Sequence, residues 1–393
     1  MSGRIAEPKH DEISTMWLKH NGLEHMKKIA AIVPYTFLPG QSGGQKLISG
    51  FYDALGEITT LHVLGTPENN TSLAASYNFE PMLRSSQLRY VDVFSFFRIK
   101  SYLKQHATEW LIIEHPYLGW LAWLLKQATG VKLIVHTHNV EYKRFRSIGK
   151  WWWSLLKVYE KWVLQRADLV FCITDEDRKG FIDELHIAHN KCVVIPYGIP
   201  QQALPEDKQE TKEAVCKELN ISTETKLLFF NGVLNYQPNL EALNNIIHRI
   251  NPLLLSSNIN YKILIAGKDL PASYNELKQW KHEHVHYLGF VNDIDRYTKA
   301  ADILLNPVKS GGGVKTKMIE ALGMNTTVVS TATGAAGVSQ EFCGDKLVVV
   351  ADDDWNAFAG AVVKSAEQTA TIPGAFYKTF SWEYIAEKVA NLL

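Results

Sequence analysis

Short apolar segments alternate with amphipathic segments along nearly the whole chain, and this alternation constrains the fold more than any other feature of the sequence. The apolar segments are rich in β-branched residues and have little polar alternation, as in KIAAIVP at 28–34 and WLIIE at 110–114. Such strands are typical of parallel sheets that helices cover on both faces. The sequence therefore predicts an α/β protein built on parallel sheets, with the third strand at 90–93.

The alternation falls into two parts of similar size, separated by residues 196–206 (PYGIPQQALPE). Three prolines and a glycine in this stretch predict a linker between domains. With 393 residues, the chain is long enough for two domains of ordinary size. We predict a first domain over 28–199 and a second over 200–380. A last helix over 381–393 can pack back on the first domain, and residues 1–27 are expected to form a loose extension.

The charge balance and the cysteines limit the functional classes. Lys plus Arg and Asp plus Glu both total 41, so net charge gives no indication of a nucleic-acid partner. The four cysteines are scattered without a CxxC pair, which argues against a zinc site or a disulfide framework and fits a reducing compartment. The first 25 residues lack the apolar core of a secretory signal, and the longest strongly apolar run, at 118–125, is too short to span a bilayer. We expect a cytoplasmic protein that binds no nucleic acid.

The segment 306–331 (NPVKSGGGVKTKMIEALGMNTTVVST) places three consecutive glycines before Lys315, Lys317 and a predicted helix that carries Glu320. Glycines allow the backbone to approach a ligand closely, and a helix start with unpaired N–H groups suits a phosphate. The lysines add positive charge, and the Glu320 carboxylate can accept hydrogen bonds from sugar hydroxyls. These features indicate a site for a nucleotide or a nucleotide sugar. The alternative is a glycine turn before an ordinary helix with solvated lysines, although the helix dipole disfavours lysines at that end.

Two other groups stand where parallel α/β folds bind ligands. His136 and His138 lie at the end of a predicted strand, in HTHNVEY. We interpret His138 as a group that contacts a sugar or stabilises charge during a reaction, and His136 as a structural residue. Gly43 and Gly44 precede a helix after the first strand, where they serve either a bound ligand or only a helix-start turn. They do not form GxGxxG, so a dinucleotide cofactor is poorly supported.

Residues 143–166 contain seven basic residues and one acid, interleaved with four tryptophans. A helix predicted over 151–166 brings Leu155, Leu156 and Val163 near one face. One interpretation is an interfacial helix on anionic lipid, which would hold the protein at the inner face of a membrane. The other interpretation is a core-packed helix with a solvated basic face, and we favour it because this helix must also cover the sheet.

Six segments, taken in order, resemble parts of the GT-B glycosyltransferases, and within them family four, the group 1 type. They are Gly43–Gly44, HNVE at 138–141, VIPYGI at 194–199, FFNGVLNYQPN at 229–239, the donor segment at 301–331 and FSWE at 380–383. The resemblance covers residue 28 to the C-terminus. It implies two Rossmann-like domains that face each other across a cleft, the first for the acceptor and the second for a nucleotide-sugar donor.

The sequence departs from the broad family at two positions of the second domain. Many members have two glutamates with seven residues between them; here Glu320 matches the second, and Gly312 stands in place of the first. Many members also have a basic residue after the first glycine of that domain, where this chain has Val233 after Gly232. The resemblance therefore implies that Lys315 and Lys317 meet most of the phosphate charge.

By resemblance, the chain is a retaining enzyme that moves a sugar from a UDP- or GDP-sugar to a saccharide or lipid-linked acceptor, without a metal or other cofactor. His138 and Lys317 are the implied catalytic residues. The implied donor site comprises Gly43, Gly44, Gly232, Gly311, Gly312, Gly313, Lys315, Lys317 and Glu320. Two DxD-like pairs, at 293–295 and 352–354, are interpreted as helix caps instead of metal ligands. Two alternatives remain open: a nucleotide-sugar epimerase of GT-B fold, and a non-catalytic binding subunit.

Overall fold

The computed structural model describes residues 26–393, and in it the chain forms two separate β-sheets. The first sheet comprises β1 Lys28–Ile32, β2 Thr60–Leu64, β3 Asn78–Glu80, β4 Trp110–Glu114, β5 Lys132–His136, β6 Leu169–Cys172 and β7 Cys192–Val194. The second comprises β8 Lys226–Asn231, β9 Tyr261–Ala266, β10 Val285–Gly289, β11 Ile303–Asn306, β12 Thr327–Thr331 and β13 Leu347–Val350. Every pair of neighbouring strands is parallel. The predicted fold class, α/β with two parallel-sheet domains, is therefore confirmed.

Helices connect the strands and cover both faces of each sheet. Those of the first part are α1 Gly43–Ile58, α2 Phe94–Gln105, α3 Gly119–Thr129, α4 Glu141–Ser147, α5 Trp153–Arg166 and α6 Asp175–Leu185. Those that follow are α7 Lys208–Leu219, α8 Gln237–Asn245, α9 Asn251–Leu255, α10 Ile294–Ala300, α11 Thr316–Gly323, α12 Gln340–Cys343, α13 Trp355–Ala366, α14 Gly374–Phe380 and α15 Trp382–Leu392. Strand β1 shows why the strands are apolar throughout: Ile29 and Ala31 enter one apolar core, and Ala30 and Ile32 enter the core on the opposite face.

The strand order identifies where ligands can bind. The first sheet runs β3-β2-β1-β4-β5-β6-β7 and the second runs β10-β9-β8-β11-β12-β13. In each sheet the order therefore reverses beside the first strand of that sheet, between β1 and β4 and between β8 and β11. Connections leave such neighbouring strands in opposite directions, which opens a crevice at their carboxyl ends. The segments that follow β4, β5, β8 and β11 consequently border the crevices in which a ligand can bind.

The last helix, α15, packs against α1 of the first domain. The indole of Trp382 fills the space beside Gly50 and Gly198, where an added Cβ would lie 2.3 Å and 2.4 Å from the ring. The chain is fixed at the same place by backbone bonds, because the Ile199 N–H donates to the Phe380 carbonyl at 2.7 Å and the Trp382 N–H donates to the Ile199 carbonyl at 2.9 Å. The two segments that join the domains are thus hydrogen-bonded to each other.

One strand differs from its prediction. Residues 90–93 do not form the third strand; Gln87–Tyr90 is a 3-10 turn, and β3 is the polar segment Asn78–Glu80. The apolar side chains of Val91 and Val93 are exposed. The predicted extension, residues 1–27, lies almost entirely outside the described residues.

All four cysteines are buried free thiols. Among residues 26–393, no helix combines the length and the apolar character needed to cross a bilayer.

Candidate active site

The three glycines form a loop between β11 and α11, at the carboxyl edge of the second sheet. Gly311 and Gly313 have φ angles of 86° and 73°, in the left-handed region that favours glycine. Nothing lies within 4 Å of a Cβ placed on Gly312, which therefore borders open space. Two of the three glycines are needed by the backbone, and the third leaves room for a ligand.

The different backbone conformations of Gly312 and Gly313 predict different effects of an alanine substitution on stability. Replacing Gly313 with alanine is expected to lower the free energy of unfolding by about 1–2 kcal/mol, because a side chain disfavours positive φ. The added Cβ would also lie 3.0 Å from Asn139 Oδ1. Gly312→Ala is the matched control and should unfold like the unsubstituted protein in a urea titration. Equal stability of the two variants would contradict the assigned backbone conformation.

Lys315 holds the loop in shape. Its ammonium donates to the carbonyl oxygens of Gly311 at 2.8 Å and Gly313 at 3.1 Å, with a longer contact of 3.4 Å to Gly312. Burial lowers the pKa of Lys315. The ammonium predicted to meet phosphate is thus engaged by the backbone of the same loop, and it would have to exchange at least part of these bonds to bind an anion directly.

Lys317 lies in the first turn of α11 and, like Lys315, is half-buried. Its Nζ donates to the Asn231 carbonyl at 3.0 Å, lies 3.5 Å from Asn239 Oδ1 and sits 4.3 Å from the centroid of the Phe230 ring. Within residues 26–393 it belongs to none of the ion pairs. Burial lowers the pKa of Lys317 to about 7, and the charge of Lys315 acts in the same direction. The site therefore contains a half-buried amine that an anion would stabilise in its charged form.

Gly232 follows β8 beside this lysine. A Cβ on Gly232 would lie 2.6 Å from the amide nitrogen of Asn239, and a Cβ on Gly267 would lie 1.9 Å from the Gly232 carbonyl oxygen. The absence of side chains thus lets the turns after β8 and β9 pack tightly against each other. This packing fixes the position of Asn231, whose carbonyl accepts the hydrogen bond from Lys317.

Glu320 lies one turn further along α11 and is bound from the other domain. Its Oε1 accepts hydrogen bonds from Lys46 of α1 at 2.8 Å and from the hydroxyl of Tyr197 in the linker at 2.7 Å. Neither bond uses Oε2. The carboxylate predicted to bind ribose hydroxyls is therefore part of an ion pair that joins the two domains.

Gly43 and Gly44 begin α1, opposite the glycine loop. A Cβ on Gly43 would lie 3.0 Å from the side chain of Thr316, the first residue of α11, whereas nothing lies within 4 Å of a Cβ on Gly44. The starts of α1 and α11 consequently meet across the cleft. Both helix starts carry partial positive charge, so the space between them favours an anion.

His138 is held by a buried carboxylate of the neighbouring strand. Its Nε2 donates to Glu114 Oε2 at 2.6 Å, and His136 Nδ1 lies 3.1 Å from Glu114 Oε1, which also accepts a hydrogen bond from the Tyr52 hydroxyl. Strand register brings these groups together, because Glu114 of β4 is paired with His136 of β5. His136 is buried, as expected for a structural residue, while the side chain of His138 keeps 8% of its surface exposed.

The protonation of this group follows from burial. Burial lowers the pKa of His138 to about 4, and the nearby His115 adds to the effect, so the imidazole is neutral at neutral pH. Burial alone would raise the pKa of Glu114, but interactions with His136 and His138 outweigh it and hold that pKa well below its usual range. With its proton on Nε2 facing the carboxylate, His138 has a free lone pair on Nδ1 that can accept a hydrogen bond.

The same three side chains are a candidate metal site. One ligand atom from each of Glu114, His136 and His138 lies within 4.8 Å of the others. One ring nitrogen of each histidine faces the Glu114 carboxylate, so hydrogen bonds within the group engage the atoms that would bind a cation. The DxD-like pairs cap helices. Asp293 accepts a hydrogen bond from the Arg296 N–H, and Asp354 accepts one from the Ala357 N–H. Independence from metal remains a prediction.

Three contacts bring the predicted residues to one cleft: Gly43 with Thr316, Lys46 with Glu320, and Gly313 with Asn139, the residue after His138. Sequence reasoning did not identify Glu114 or Lys46. Glu114 had a recognisable signal, since an acid ends the otherwise apolar strand WLIIE. Lys46 had none, because its partner is in the other domain.

Two family descriptions match the chain, "Glycosyltransferase Family 4" over residues 60–202 and "Glycosyl transferases group 1" over residues 225–368. The O-antigen biosynthesis glycosyltransferase WbnH of Escherichia coli is 23% identical over 214 residues, which are 53% of this chain and 54% of that protein. The chain thus spans about half the length of the curated relatives that it matches.

Solved structures resemble the whole described fold. A glycosyltransferase of Rickettsia africae has a TM-score of 0.67 at 15% identity, covering 94% of this chain and 98% of that one. The Anabaena protein Alr3699/HepE in complex with UDP-glucose has a TM-score of 0.63 at 14% identity, covering 94% and 99%. At these identities the likeness shows a shared fold.

Proposed function

Since the chain belongs to the group 1 glycosyltransferases of family four and has their GT-B fold, we propose that it transfers a sugar from a nucleotide-diphosphate donor to a saccharide or lipid-linked acceptor. The O-antigen enzyme among its relatives supports a role in the assembly of a surface polysaccharide. The Anabaena structure with UDP-glucose supports a UDP-sugar as the first donor to test.

The observation that carries this proposal is the environment of Lys317. A half-buried amine with no carboxylate partner among the described residues lies at the start of α11, opposite the start of α1. A diphosphate placed there would supply the missing negative charge. Gly312 and Gly44 leave space on the two sides of this position. Glu320 Oε2 is then suited to accept a hydrogen bond from a ribose hydroxyl.

We propose the following roles for the reaction. The charge of Lys317 and the two helix starts stabilise the nucleotide diphosphate as the bond to the sugar breaks. Neutral His138 accepts a hydrogen bond from a sugar hydroxyl through Nδ1 and orients the sugar. The acceptor attacks from the face that the leaving group vacates, which retains configuration, and a donor phosphate oxygen takes the acceptor's proton. Glu114 does not serve as the base in this scheme, because hydrogen bonds from protein groups occupy both of its oxygens.

A donor panel tests the proposed function. The protein is incubated with UDP- and GDP-sugars without acceptor, and release of free nucleotide is followed by ion-exchange chromatography. We expect slow hydrolysis of one donor class. Conversion of one sugar to its epimer would support the epimerase alternative, and tight nucleotide binding without turnover would support a binding subunit. If no nucleotide binds at all, the main proposal is wrong.

Donor binding is expected to take up a proton at pH 8. The pKa of Lys317 is about 7 in the free protein, and a bound diphosphate would raise it. Between these two values the complex holds more protons than the free protein, so donor affinity should fall by up to about tenfold per pH unit above pH 7. Calorimetry in buffers of different ionisation enthalpy measures this proton uptake. An intact nucleotide sugar is used because its diphosphate does not titrate near pH 7, so the protons that are taken up bind to the protein. Equal apparent enthalpies in all buffers at pH 8 would contradict the role given to Lys317.

A further inference from the structure

Large apolar side chains are exposed in two short segments of the first domain. The first segment contributes Leu88, Val91, Val93, Phe94 and Phe97, each 57–67% exposed. The second contributes Ile148, Trp151, Leu155 and Val158, each 56–83% exposed. These nine residues, here called the outer apolar surface, are about half of the nineteen large apolar residues exposed in the described chain. Such a concentration is unusual, since exposed apolar residues on soluble proteins are normally scattered.

Helix α3 lies between the two segments and is hydrogen-bonded to both. The indole N–H of Trp120 donates to the Tyr90 carbonyl at 2.8 Å, inside the first segment. The backbone N–H of the same residue donates to the hydroxyl of Tyr159 at 3.1 Å, next to Val158 on α5. Leu124 of α3 is also exposed. The two apolar segments therefore lie on either side of a single helix.

The helix α5 has apolar residues on both sides. Leu156, Val163 and Leu164 are buried, so the interpretation as a core-packed helix holds for this side. Leu155, predicted near the same face, is 66% exposed on the outer side together with Trp151. Packing against the sheet thus does not account for the outer residues.

The charge around the outer apolar surface is strongly positive. Residues 84–105 and 143–166 together contain twelve Lys and Arg but only two acids, Asp92 and Glu160. Both acids are buried and engaged: Asp92 pairs with Arg84 and Arg98, and Glu160 accepts hydrogen bonds from two backbone N–H groups. Two further cations pair with acids from outside the segments, Lys143 with Glu184 and Arg144 with Glu141. The other eight Lys and Arg of the two segments have no ion pair among the described residues, so the net charge of the surface is positive.

We infer that the outer apolar surface is a docking surface for an anionic lipid bilayer. Bulky apolar side chains rimmed by Lys and Arg match what a membrane interface offers, an acyl boundary below a negatively charged headgroup layer. A nucleic acid would use the cations but would leave most of the exposed aliphatic side chains without a partner. A complementary protein surface is the competing occupant, and the experiment below distinguishes it.

The surface also connects with the candidate active site, and this step rests on the proposed function. A row of rings leads from His138 to His115 at 4.2 Å between centroids, to Tyr117 at 5.3 Å and to Tyr90 at 6.1 Å. Tyr90 belongs to the first apolar segment. His115 is buried, so these rings are a packed connection between the site and the surface and not an open path. Because only three ring contacts separate His138 from the outer apolar surface, a lipid-linked acceptor is favoured over a free saccharide.

Flotation of the full-length protein with lipid vesicles tests the inference. We expect it to float with vesicles of phosphatidylethanolamine and phosphatidylglycerol, to do so less as salt is raised, and to float poorly with phosphatidylcholine alone. The combined variant Phe94→Ser, Phe97→Ser, Trp151→Ser and Leu155→Ser should reduce the bound fraction at least about tenfold. Phe290→Ser with Leu255→Ser, which removes exposed apolar residues of the second domain, is the matched control and should bind as before.

Two results would overturn the inference. One is equal flotation of the fourfold variant and the control. The other is a wild-type oligomer that the fourfold variant converts to monomer while neither form floats, which would identify the surface as a protein interface. Nucleotide binding is measured on every variant in solution, so failure of the donor site is detected separately from failure of lipid binding.

Discussion

Replacing Lys317 with alanine is expected to lower the rate of donor turnover by about a thousandfold, because the group that stabilises the departing diphosphate is lost. The amine is half-buried, and its position at the start of α11 is fixed by the Asn231 carbonyl and the Phe230 ring. Water could replace the ammonium only by entering the space that the lysine side chain vacates, and water carries no positive charge. The rate of nucleotide release at saturating donor measures the effect.

Two further variants make this result interpretable. Lys317→Met keeps most of the volume and removes the charge, so it should lose turnover like the alanine variant while remaining folded. Lys309→Ala removes a lysine of the same loop region that pairs with Asp353, and it should leave turnover unchanged. Unchanged turnover in Lys317→Met would refute the catalytic role of the charge.

Replacing His138 with alanine is expected to lower turnover by about 10²–10³-fold, because the sugar loses the hydrogen bond that orients it in the cleft. Glu114→Gln should have a smaller effect, since the amide can still accept a hydrogen bond from His138 Nε2 but no longer carries the negative charge. Both variants are compared with His282→Ala, which removes an exposed histidine of the second domain. Nucleotide affinity should change little in all three, because the nucleotide is proposed to bind to the second domain. A His138→Ala variant with full turnover would exclude the proposed role.

Sequence patterns predicted most of the fold because the strands are buried on both faces and therefore apolar throughout. The prediction was wrong where that link between apolar character and burial fails. Val91 and Val93 are apolar but exposed, and the true third strand, Asn78–Glu80, is short and mostly polar. Leu155 was placed on the inner side of α5 for the same reason. These two errors fall on the outer apolar surface, where apolar residues are explained by something other than the core.

The candidate site was predictable only where its residues belong to one continuous segment. Lys315, Lys317 and Glu320 follow the glycines within one loop and one helix, so their proximity needed no knowledge of the fold. Glu114 reaches His138 through strand register, and Lys46 reaches Glu320 only when the domains meet. No local pattern predicts that Lys315 would be engaged by loop carbonyls, since this depends on the left-handed conformations of Gly311 and Gly313.

The position of α15 has a consequence for the synthesis of the protein. Because α15, which begins at Trp382, covers α1, the first domain is completed only by residues that are translated after the whole second sheet. The second sheet can therefore fold before the first domain is complete. This reverses the usual order, in which the N-terminal domain folds first. During that interval the face of α1 around Gly50 is open to solvent. The nascent chain therefore has an uncovered apolar helix face, which favours aggregation, in the part that was made first.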